Sequence, residues 1–518
     1  MITDYLVLGS GLSALTFSAL MAQRGHQVTI IEAHEFPGGF GHTFIEGNQE
    51  NSYHFNAQLH YVWDCGEGER VHRILKKLNL HEKIPFIKYN ENGFDRMRLP
   101  GYELDIPNDY NLLNQRLNGL FPADQPAINK FLTTIQQLAF LANRINKPSG
   151  SSLINHALNS YTRLPLLKFY GKTLQQVFDY FNLPKAAQSL LASQWHDFLL
   201  PPNQLSFYCW LILFDGYMRG AYYPKYHFEQ VIQELVNCIK SNKGKIIYNQ
   251  KVVEFSVKKQ KITSVTTVDV NNHEHFTEYS AQQIICNFDP KQAASMIGLQ
   301  HFSSRLRNQL SYDYSCSNFV VYGAVKGLDL RDYGFGNWNT FHSEQSDMNQ
   351  VFEDMYYRNN YTKPSFAITT PSLVTDDPTG CPQGHQIFQL LTVANYNYFK
   401  DIKLRNQKDY IQRKKKIYHS MLDVIEKRYV PNFRDSICFK MLGSPTTNDS
   451  FCFAPEGNSY GSNMTPENTR LNRLGFKTSL HNFYFCNASS GYAGFTHSFA
   501  NGARLYEYLT NDVVPNYV

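Results

Sequence analysis

The sequence lacks the features by which several classes of protein are recognised. Its nine cysteines are an odd number without a CxxC pair, which argues against a disulfide framework or a zinc site and favours a reducing compartment. Charged residues make up only 18% of the chain and the net charge is +5, whereas binding to nucleic acid calls for a concentrated basic face. We therefore predict no metal site and no nucleic-acid partner.

Long apolar runs are also missing. The most apolar window, residues 205–214, is far shorter than the roughly 18 residues that a membrane-spanning helix needs. Residues 1–4 lead into the first strand without the basic and apolar regions of a secretory signal. We expect a cytoplasmic protein, and peripheral contact with a membrane stays open.

Aromatic residues, in contrast, are abundant. The 37 Phe and 34 Tyr bring the aromatic fraction to 14%, and such rigid rings can line a long apolar cavity. A general preference for Tyr and Phe in core and surface explains the same fraction equally well. With 518 residues, the chain can bury a large core and form two or three domains.

The most informative stretch is residues 5–32, YLVLGSGLSALTFSALMAQRGHQVTIIE. A short apolar strand leads into a GxGxxA turn, and an amphipathic helix then ends near Arg24. Gly9 permits the tight turn, Gly11 lets the backbone approach a pyrophosphate, and Ala14 lets helix and strand pack closely. The pattern predicts a dinucleotide-binding unit in which the helix N-terminus faces the phosphates.

The end of this unit predicts how the ribose is recognised. Gly25 closes the helix, and residues 27–31 form a second buried strand. Glu32 follows at the distance where a carboxylate accepts a hydrogen bond from a ribose 2′-hydroxyl, and an acid there disfavours a 2′-phosphate. A strand, turn, helix, strand and acid in this order are far more specific than the glycine pattern alone.

Two adjacent glycines, Gly38 and Gly39, follow in AHEFPGGFGHTF, residues 33–44. Adjacent glycines let a backbone cross close to a flat or anionic ligand, and a simple nicotinamide-binding unit does not need them. The region resembles the flavoprotein family of phytoene desaturases, carotenoid cis-trans isomerases and retinol saturases. That resemblance implies FAD, not NAD, and an α/β fold: a glutathione-reductase-like Rossmann-type FAD-binding domain with an inserted α+β substrate-binding domain.

Further segments resemble the same family over most of the chain. They are FNAQLHYV (55–62), GAYYPK (220–225), IICNFDP (284–290), SPTTNDSFCFAPEGNSYG (444–461) and FCNASSGYAGFTHSFANGAR (485–504). The first and fourth favour the saturase and isomerase branch, and the last resembles the turn and helix that close over the flavin. Together, the motif and the resemblance imply the cofactor-binding residues Gly9, Ser10, Gly11, Leu12, Ser13, Ala14, Glu32, Ala33, Gly38, Gly39, Phe40, Gly41, His42, Val252, Val253, Asn287, Asn487, Gly494, Phe495 and Thr496.

The candidates for catalysis are His60 and Tyr61, which match the His-Tyr pair of the saturase and isomerase branch. An imidazole and a phenol can position a proton beside a flavin. Hydrogen bonding that only shapes the cavity wall is the alternative role. His42, His54 and His497 also merit attention, although most lone histidines are structural.

The sequence departs from the family pattern at positions that leave a second class of function open. That class is a flavin- or lipid-binding protein without catalysis. The departures behind this class are Asn487 in place of Asp, Phe40 in place of a basic residue, and Tyr226 and His227 in place of a second glycine pair. Asn56 and Gln58 also replace Asp and Gly ahead of the His-Tyr pair, which predicts a different substrate-side wall of the flavin.

Two other patterns have simpler explanations. Residues 457–461 fit the GxSxG nucleophile pattern, but Pro455 and Pro466 flank them, which favours a loop. Residues 413–416, RKKK, form a basic run on a predicted helix. A solvated helix face is favoured there over contact with an anionic membrane.

Nucleotide-binding character appears in residues 1–85, 218–300 and 438–518, which we predict to form one discontinuous FAD-binding domain. Residues 86–217 and 301–437 are the predicted substrate-binding region. The patterns predict helices at 127–145, 173–181 and 407–429, strands at 94–99, 319–325 and 386–393, and a hairpin at 251–270 that turns at Lys259 and Gln260.

The resemblance implies an FAD-dependent oxidoreductase that acts on carbon-carbon double bonds of an elongated lipophilic polyene, isoprenoid or lipid. The reaction would be saturation, desaturation or flavin-assisted cis-trans isomerisation. Because no second GxGxxG unit is visible, electrons would come from an external donor or a quinone, or would not flow net. Amine oxidation on the same FAD scaffold is a further alternative, and the sequence does not indicate an oligomeric state.

Overall fold

The computed structural model describes residues 3–48, 51–145, 166–469 and 472–515. The strands are β1 Thr3–Leu8, β2 Val28–Ile31, β3 Thr43–Gly47, β4 Ser52–Asn56, β5 Val62–Trp63, β6 Phe86–Lys88, β7 Asp95–Leu99, β8 Tyr102–Ile106, β9 Ala221–Pro224, β10 Lys245–Ile247, β11 Gln250–Lys258, β12 Lys261–Asp269, β13 Phe276–Tyr279, β14 Ala281–Cys286, β15 Ser317–Lys326, β16 Asn339–Ser343, β17 Ser365–Thr369, β18 His385–Ala394, β19 Ile437–Gly443 and β20 Phe483–Phe485. The α-helices are α1 Leu12–Gln23, α2 Arg70–Lys77, α3 Tyr110–Leu120, α4 Gln125–Ile145, α5 Leu174–Tyr180, α6 Lys185–Ala192, α7 Phe207–Arg219, α8 His227–Ser241, α9 Pro290–Ile297, α10 Ser304–Leu310, α11 Met348–Phe352, α12 Tyr396–Arg405, α13 Gln407–Arg428, α14 Phe433–Ser436, α15 Pro445–Cys452 and α16 Phe495–Thr510.

The N-terminal strand β1 lies at the centre of a five-stranded parallel sheet with the order β10-β2-β1-β14-β20. In register, Leu8 lies beside Ile31 on one side and Cys286 on the other. Parallel strands are covered on both faces, which is why these short strands are almost continuously apolar. The chain returns to this sheet from three distant parts of the sequence, so one Rossmann-type unit is assembled from all of them.

Helix α1 confirms the predicted strand-turn-helix-strand order but not the predicted amphipathic character. All of its residues except the last are buried. The helix lies between the sheet and the helices α8 and α16, so no face is left for solvent. Its polar side chains are satisfied internally, as Ser13 shows by donating to the Cys486 carbonyl at 2.9 Å.

The second large sheet is mixed and has the order β19-β15-β18-β17-β16-β7-β8. Strands β16 and β7 pair in parallel, whereas the other neighbours are antiparallel. The segment Asp95–Ile106 thus joins a sheet formed mainly by residues more than 200 positions later. The predicted strands at 94–99, 319–325 and 386–393 and the helices at 127–145, 173–181 and 407–429 are confirmed to within a few residues.

The predicted hairpin is also confirmed. Strands β11 and β12 pair antiparallel, and Lys259 and Gln260 form the turn with φ of 49° and 57°. Two successive residues at positive φ are typical of a type I′ turn, whose twist matches that of the strands. The observed sheets and helices confirm the predicted α/β class, a parallel Rossmann-type sheet beside an α+β region. Within the residue ranges given above, no helix combines the length and the apolar composition needed to cross a membrane.

Candidate functional site

The glycine turn after β1 lies at the carboxyl end of the parallel sheet, where open α/β sheets bind their ligands. Gly9 has a φ of 100°, so it adopts a conformation that disfavours other residues. The Gly11 amide donates to Asn287 Oδ1 at 2.8 Å, and a Cβ on Gly11 would lie 2.6 Å from that oxygen. Asn287 also donates to Ser13 Oγ at 3.0 Å and to the Cys486 carbonyl. It therefore fastens the turn to two further segments.

Glu32 ends β2 at the edge of the same cleft and is buried. Its Oε2 accepts from the Ser10 amide at 2.7 Å and from the Ser10 hydroxyl at 2.5 Å, while Oε1 accepts from the His34 amide at 2.9 Å. A carboxylate oxygen can accept two hydrogen bonds. Oε1 therefore retains capacity for one ribose hydroxyl.

The paired glycines form a second turn that packs against the first. Gly38 and Gly39 have φ of 114° and 55°, and the Gly38 amide donates to the Ser10 carbonyl at 3.0 Å. A Cβ on Gly39 would lie 3.3 Å from the Gly11 Cα atom. Both turns therefore need glycine, because side chains there would crowd the other turn and narrow the cleft.

These turns border a cleft of about 1590 Å³ that runs from Glu32 to the start of α16. Most of the predicted cofactor-binding residues line it. They are Gly9, Ser10, Gly11, Leu12, Ser13, Glu32, Ala33, Gly38, Gly39, Phe40, Gly41, Val252, Asn287, Asn487, Gly494 and Phe495.

The other four predicted cofactor-binding residues do not line the cleft. Ala14 is fully buried within α1, and His42 stacks on Phe36 at 3.8 Å between ring centroids. Val253 is exposed and lies at a bulge of β11, between the paired residues Val252 and Glu254, whereas Val252 lines the cleft. Thr496 donates to the Trp63 carbonyl and faces the neighbouring chamber.

Sequence reasoning missed an aromatic group at the Glu32 end of the cleft. The His34 ring stacks on Phe453 at 4.7 Å and 15°, and the Lys251 ammonium lies 4.9 Å from the Phe453 ring. All three residues line the cleft. Phe453 has a φ of 49°, which is unfavourable for a bulky residue. Phe451, Cys452 and Phe453 form an aromatic-rich sequence, but only the fold brings it beside His34.

The second cavity is a chamber of about 1180 Å³ lined mainly by apolar and aromatic side chains. Tyr208, Ile212, Leu213, Tyr217 and Met464 form much of its wall. Chamber and cleft have a common wall, so a flat group at the α16 end of the cleft would face the chamber. The residues of the common wall are Gln58, Leu59, Tyr460, Ala493, Gly494 and Phe495.

His60 lines the chamber, and neither of its ring nitrogens has a hydrogen-bond partner among the described residues. Burial lowers the pKa of His60 to about 4, against a smaller opposing effect of the Gln389 side chain. The imidazole is therefore neutral near pH 7. It can accept a proton or relay one, but it does not carry the additional proton of an imidazolium.

Tyr61 also lines the chamber, and its hydroxyl lies between two carboxyl groups. The oxygen is 2.9 Å from Asp95 Oδ2 and 2.8 Å from Asp197 Oδ2. Asp95 additionally accepts from Gln194 at 2.6 Å and from Asn339 at 3.1 Å. A phenol has one proton and can donate to only one carboxylate, so the second contact requires a protonated carboxyl group.

The environment of this trio favours such a shared proton. Burial raises the pKa of Asp95 to about 7, although its hydrogen-bond donors lower it. Burial, followed by the nearby charge of Asp95, raises the pKa of Asp197 well above its ordinary value. Within the described residues, no lysine or arginine lowers either pKa. Asp197 lines the chamber as well, so the trio of Asp95, Tyr61 and Asp197 brings an exchangeable proton to the chamber wall.

The departures from the family pattern have structural roles here. Asn487 donates to the Phe288 carbonyl at 3.0 Å, a bond that a carboxylate could not make. His227 keeps a φ of 59°, the kind of conformation that glycine adopts easily. Asn56 accepts from the amides of Gln58 and Leu59 and so shapes the segment leading to His60.

The remaining predicted features lie outside the catalytic region or at its border. The His54 ring lies 2.9 Å from Glu229, whereas His497 lines the chamber and has a pKa lowered to about 3, chiefly by burial. The segment 457–461 is a loop beside the cleft, as predicted. In the basic run, Arg413 packs on the Tyr398 ring at 4.3 Å, so this side chain is not simply solvated.

Comparisons with known proteins agree with this geometry. The sequence model of an NAD(P)-binding Rossmann-like domain matches residues 7–78. The all-trans-retinol 13,14-reductase of Danio rerio is 22% identical over 88% of this chain and 77% of its own. Prolycopene isomerase 2 of an Oncidium hybrid cultivar is 20% identical over 95% of this chain and 80% of its own. A solved putrescine oxidase variant superposes with a TM-score of 0.64 at 10% identity, covering 99% of both chains.

The fold and the cleft thus define a dinucleotide-binding oxidoreductase of the Rossmann type. Its matches over nearly the whole chain identify it more closely. Those matches support a relationship to the retinol saturases and carotenoid cis-trans isomerases.

Proposed function

We propose that this protein binds FAD in the cleft and acts on a carbon-carbon double bond of an elongated lipophilic molecule in the chamber. The observation that carries the proposal is the common wall at Gly494 and Phe495, which joins a dinucleotide cleft to an apolar chamber. The similarity to all-trans-retinol 13,14-reductase and prolycopene isomerase supports a polyene substrate.

The residues of the cleft fit the parts of FAD. The turn at Gly9 and Gly11, followed by the free amides at the start of α1, suits a pyrophosphate. The free acceptor capacity of Glu32 suits a ribose hydroxyl. The stacked rings of His34 and Phe453 suit the flat adenine. FAD supplies hydride or electron-pair transfer when it is bound.

The chain's own groups would hold the substrate and handle its proton. The apolar wall excludes water, and the aromatic side chains are rigid enough to hold an extended polyene. Asp197 and Tyr61 present a proton to the chamber, whereas neutral His60 presents a free acceptor. This division suits a reaction in which carbon gains or loses a proton.

The same arrangement argues against the alternatives. Two of the replaced family positions have structural roles in the site, because Asn487 donates to the Phe288 carbonyl and His227 adopts a conformation that glycine adopts easily. A non-catalytic binding protein therefore has no specific observation in its favour. Amine oxidation is supported only at the level of fold, by a neighbour of 10% identity.

We further propose that electrons come from an external donor or a quinone when the reaction is a saturation or desaturation. We propose a cytoplasmic location with peripheral contact at a membrane, because a lipophilic substrate dissolves there. The mass of the purified protein in solution measures the oligomeric state.

A binding experiment tests the cofactor assignment. We expect the purified protein to bind FAD with a shifted flavin absorbance, and Glu32→Ala to weaken binding about tenfold or more, as for a lost charged hydrogen bond. Glu35→Ala is the matched control, because Glu35 is exposed and does not line the cleft. Failure of the wild-type protein to bind FAD would contradict the proposal.

A turnover experiment tests the reaction. The protein loaded with reduced FAD is incubated with an all-trans or a cis polyene without oxygen, and the products are separated by chromatography. A saturated product that appears in proportion to flavin oxidation indicates a saturase. Multiple turnovers to a cis-trans isomer without change in the flavin indicate an isomerase. Absence of both products, with amine-dependent peroxide release in air, would favour amine oxidation instead.

A further inference from the structure

The charged residues at one side of the chamber indicate the chemical class of the substrate. Arg504 lies on α16 seven residues after His497, which places both on the same side of the helix. Both line the chamber. The Arg504 side chain is accessible, yet burial lowers its pKa. The accessible Arg504 side chain is part of the chamber wall.

In the part of the chain that the structure describes, no acid lies within ion-pair distance of Arg504. Within the described residues, it forms no ion pair or hydrogen bond of its own. Glu507, one turn further along α16, is the nearby acid and accepts from the Val514 amide at 2.8 Å. An enclosed guanidinium without a paired anion is unfavourable unless a ligand or water neutralises it.

The neighbouring charges do not compensate for Arg504. Arg70, the other arginine of the chamber wall, lies 3.5 Å from Asp64, but Asp64 is also 3.8 Å from Arg219. Arg219 also forms an ion pair with Asp215, so these arginines and acids neutralise one another and leave Arg504 unpaired.

Three further groups complete the surroundings. Glu69 lies 3.9 Å from Arg219. Arg73 is also nearby, and its positive charge acts to lower the pKa of Glu507. Arg473 is buried and donates only to backbone carbonyls, including those of Ala488 and Asn463. Among the described residues, none of the acids Asp64, Glu69 and Asp215 lies within ion-pair distance of Arg504.

We propose that Arg504, supported by Arg70, binds the carboxylate of an elongated unsaturated carboxylic acid whose apolar chain fills the chamber. A planar guanidinium matches a carboxylate through two parallel hydrogen bonds, and an enclosed site strengthens them. The rest of the wall, such as Ile212, Leu213 and Met464, suits an apolar chain. This inference rests on the proposed function, because it assigns the substrate of the same chamber.

The test uses parinaric acid, a fluorescent tetraene fatty acid, and its methyl ester as binding probes for the FAD-loaded protein. We expect the acid to bind about tenfold or more tightly than the ester, as for a charged hydrogen bond. Arg504→Gln should abolish that preference and leave ester binding unchanged. Arg305→Gln is the matched control, since Arg305 is exposed on α10.

Several results would overturn the inference. The first is equal binding of acid and ester by the wild-type protein, and the second is an unchanged preference in a folded Arg504→Gln variant. A third is tighter Arg504-dependent binding of a single-chain lysophosphatidate, which would assign a phosphate instead. If Arg504→Gln fails to fold, Arg504→Lys replaces it, and a reduced but nonzero preference is expected. Ester turnover and FAD absorbance report the proposed function separately.

Discussion

At the scale of single residues, the Tyr61 hydroxyl couples the protonation of Asp95 to that of Asp197. Two carboxyl groups share this one phenol at 2.9 and 2.8 Å, so their protons are coupled and titrate as a set. A sequence shows Asp95 and Asp197 only as two acids about a hundred positions apart. The structure shows them as parts of one proton-holding group.

Asp95→Asn should change the pH dependence of stability. The pKa of Asp95 is raised from 3.8 to about 7 by burial. Its contribution to stability is thus fully present below about pH 4 and is lost as the pH rises through 7, because the unfolded chain ionises first. The wild-type protein should lose on the order of 3 kcal/mol between pH 4 and 8 that the variant does not lose. Urea unfolding at several pH values measures this difference.

The control for this experiment is Glu274→Gln, at an exposed carboxyl group in the turn before β13. It should follow the wild-type curve at every pH. Parallel curves for the wild-type protein and Asp95→Asn would show that Asp95 ionises normally in the folded state.

The strained Phe453 should contribute to cofactor binding more than to folding. Phe453→Gly removes a ring that is 37% exposed and relieves a positive φ, which costs a non-glycine residue roughly 1 kcal/mol. The melting temperature without cofactor should therefore be unchanged or higher. FAD affinity should fall about fivefold, as expected when about 1 kcal/mol of stacking is lost. Flavin fluorescence titration and a thermal melt give the two quantities.

Phe451→Ala is the matched control, because Phe451 is 44% exposed and does not line the cleft. Its FAD affinity should equal that of the wild-type protein. Equal loss in both variants would indicate a general disturbance of this loop instead of stacking on adenine.

At the scale of elements, the contact of α1 with α16 positions both ends of the cleft. Gly502 makes this contact close, since a Cβ there would lie 2.5 Å from the Ser13 carbonyl and 2.9 Å from the Phe17 amide. Helix α1 starts at the glycine turn, and α16 starts at the wall common to cleft and chamber. A change in their spacing therefore changes the distance between the two halves of the cofactor site.

Gly502→Ala should push the two helices apart. We expect a loss of about 1 to 3 kcal/mol in the free energy of unfolding, which is typical of overpacking, and weaker FAD binding. Gly119→Ala is a matched helical control, because a Cβ there meets nothing within 4 Å. It should stabilise α3 by up to about 1 kcal/mol. Chemical unfolding of the two variants measures both effects, and equal stability would contradict close packing at Gly502.

At the scale of the whole molecule, the site is assembled from parts of the chain that are far apart in sequence. Gly11, Asn287 and Cys486 are joined directly by the hydrogen bonds of one asparagine side chain. A ligand that spans the cleft would therefore stabilise the entire parallel sheet, and not only the N-terminal unit.

FAD should raise the stability of the whole fold in a single transition. At a hundredfold excess over its dissociation constant, a ligand of the folded state contributes about 2.7 kcal/mol. FMN lacks the adenosine half and should stabilise less, because it cannot reach Glu32 and the aromatic group of His34 and Phe453. Calorimetry with each nucleotide measures the shifts. Two separate transitions, with FAD moving only one, would contradict the coupling.

Much of the fold and most of the cleft could be predicted from sequence because they depend on local rules. Gly9, Gly11 and the paired glycines are needed for backbone conformation, and the strands have clear apolar patterns. The exposure of Val253 was missed, because it lies at a bulge of β11 that no local pattern indicates.

The proton-sharing trio and Arg504 could not be predicted in the same way. Their properties arise from burial and from neighbours such as Asp95 and Asp197, which the fold brings together from different elements. The stacking of Phe453 on His34 likewise joins residues more than four hundred positions apart. No local pattern carries such information.

The pairing of β20 with β14 has a consequence for the time course of synthesis. Strand Phe483–Phe485 and helix α16 leave the ribosome after every other element of the parallel sheet. Until they emerge, the nascent chain has one edge of that sheet and one wall of the apolar chamber uncovered. The cofactor cleft is therefore complete only after α16 has been made, so we expect the protein to bind its cofactor after that point.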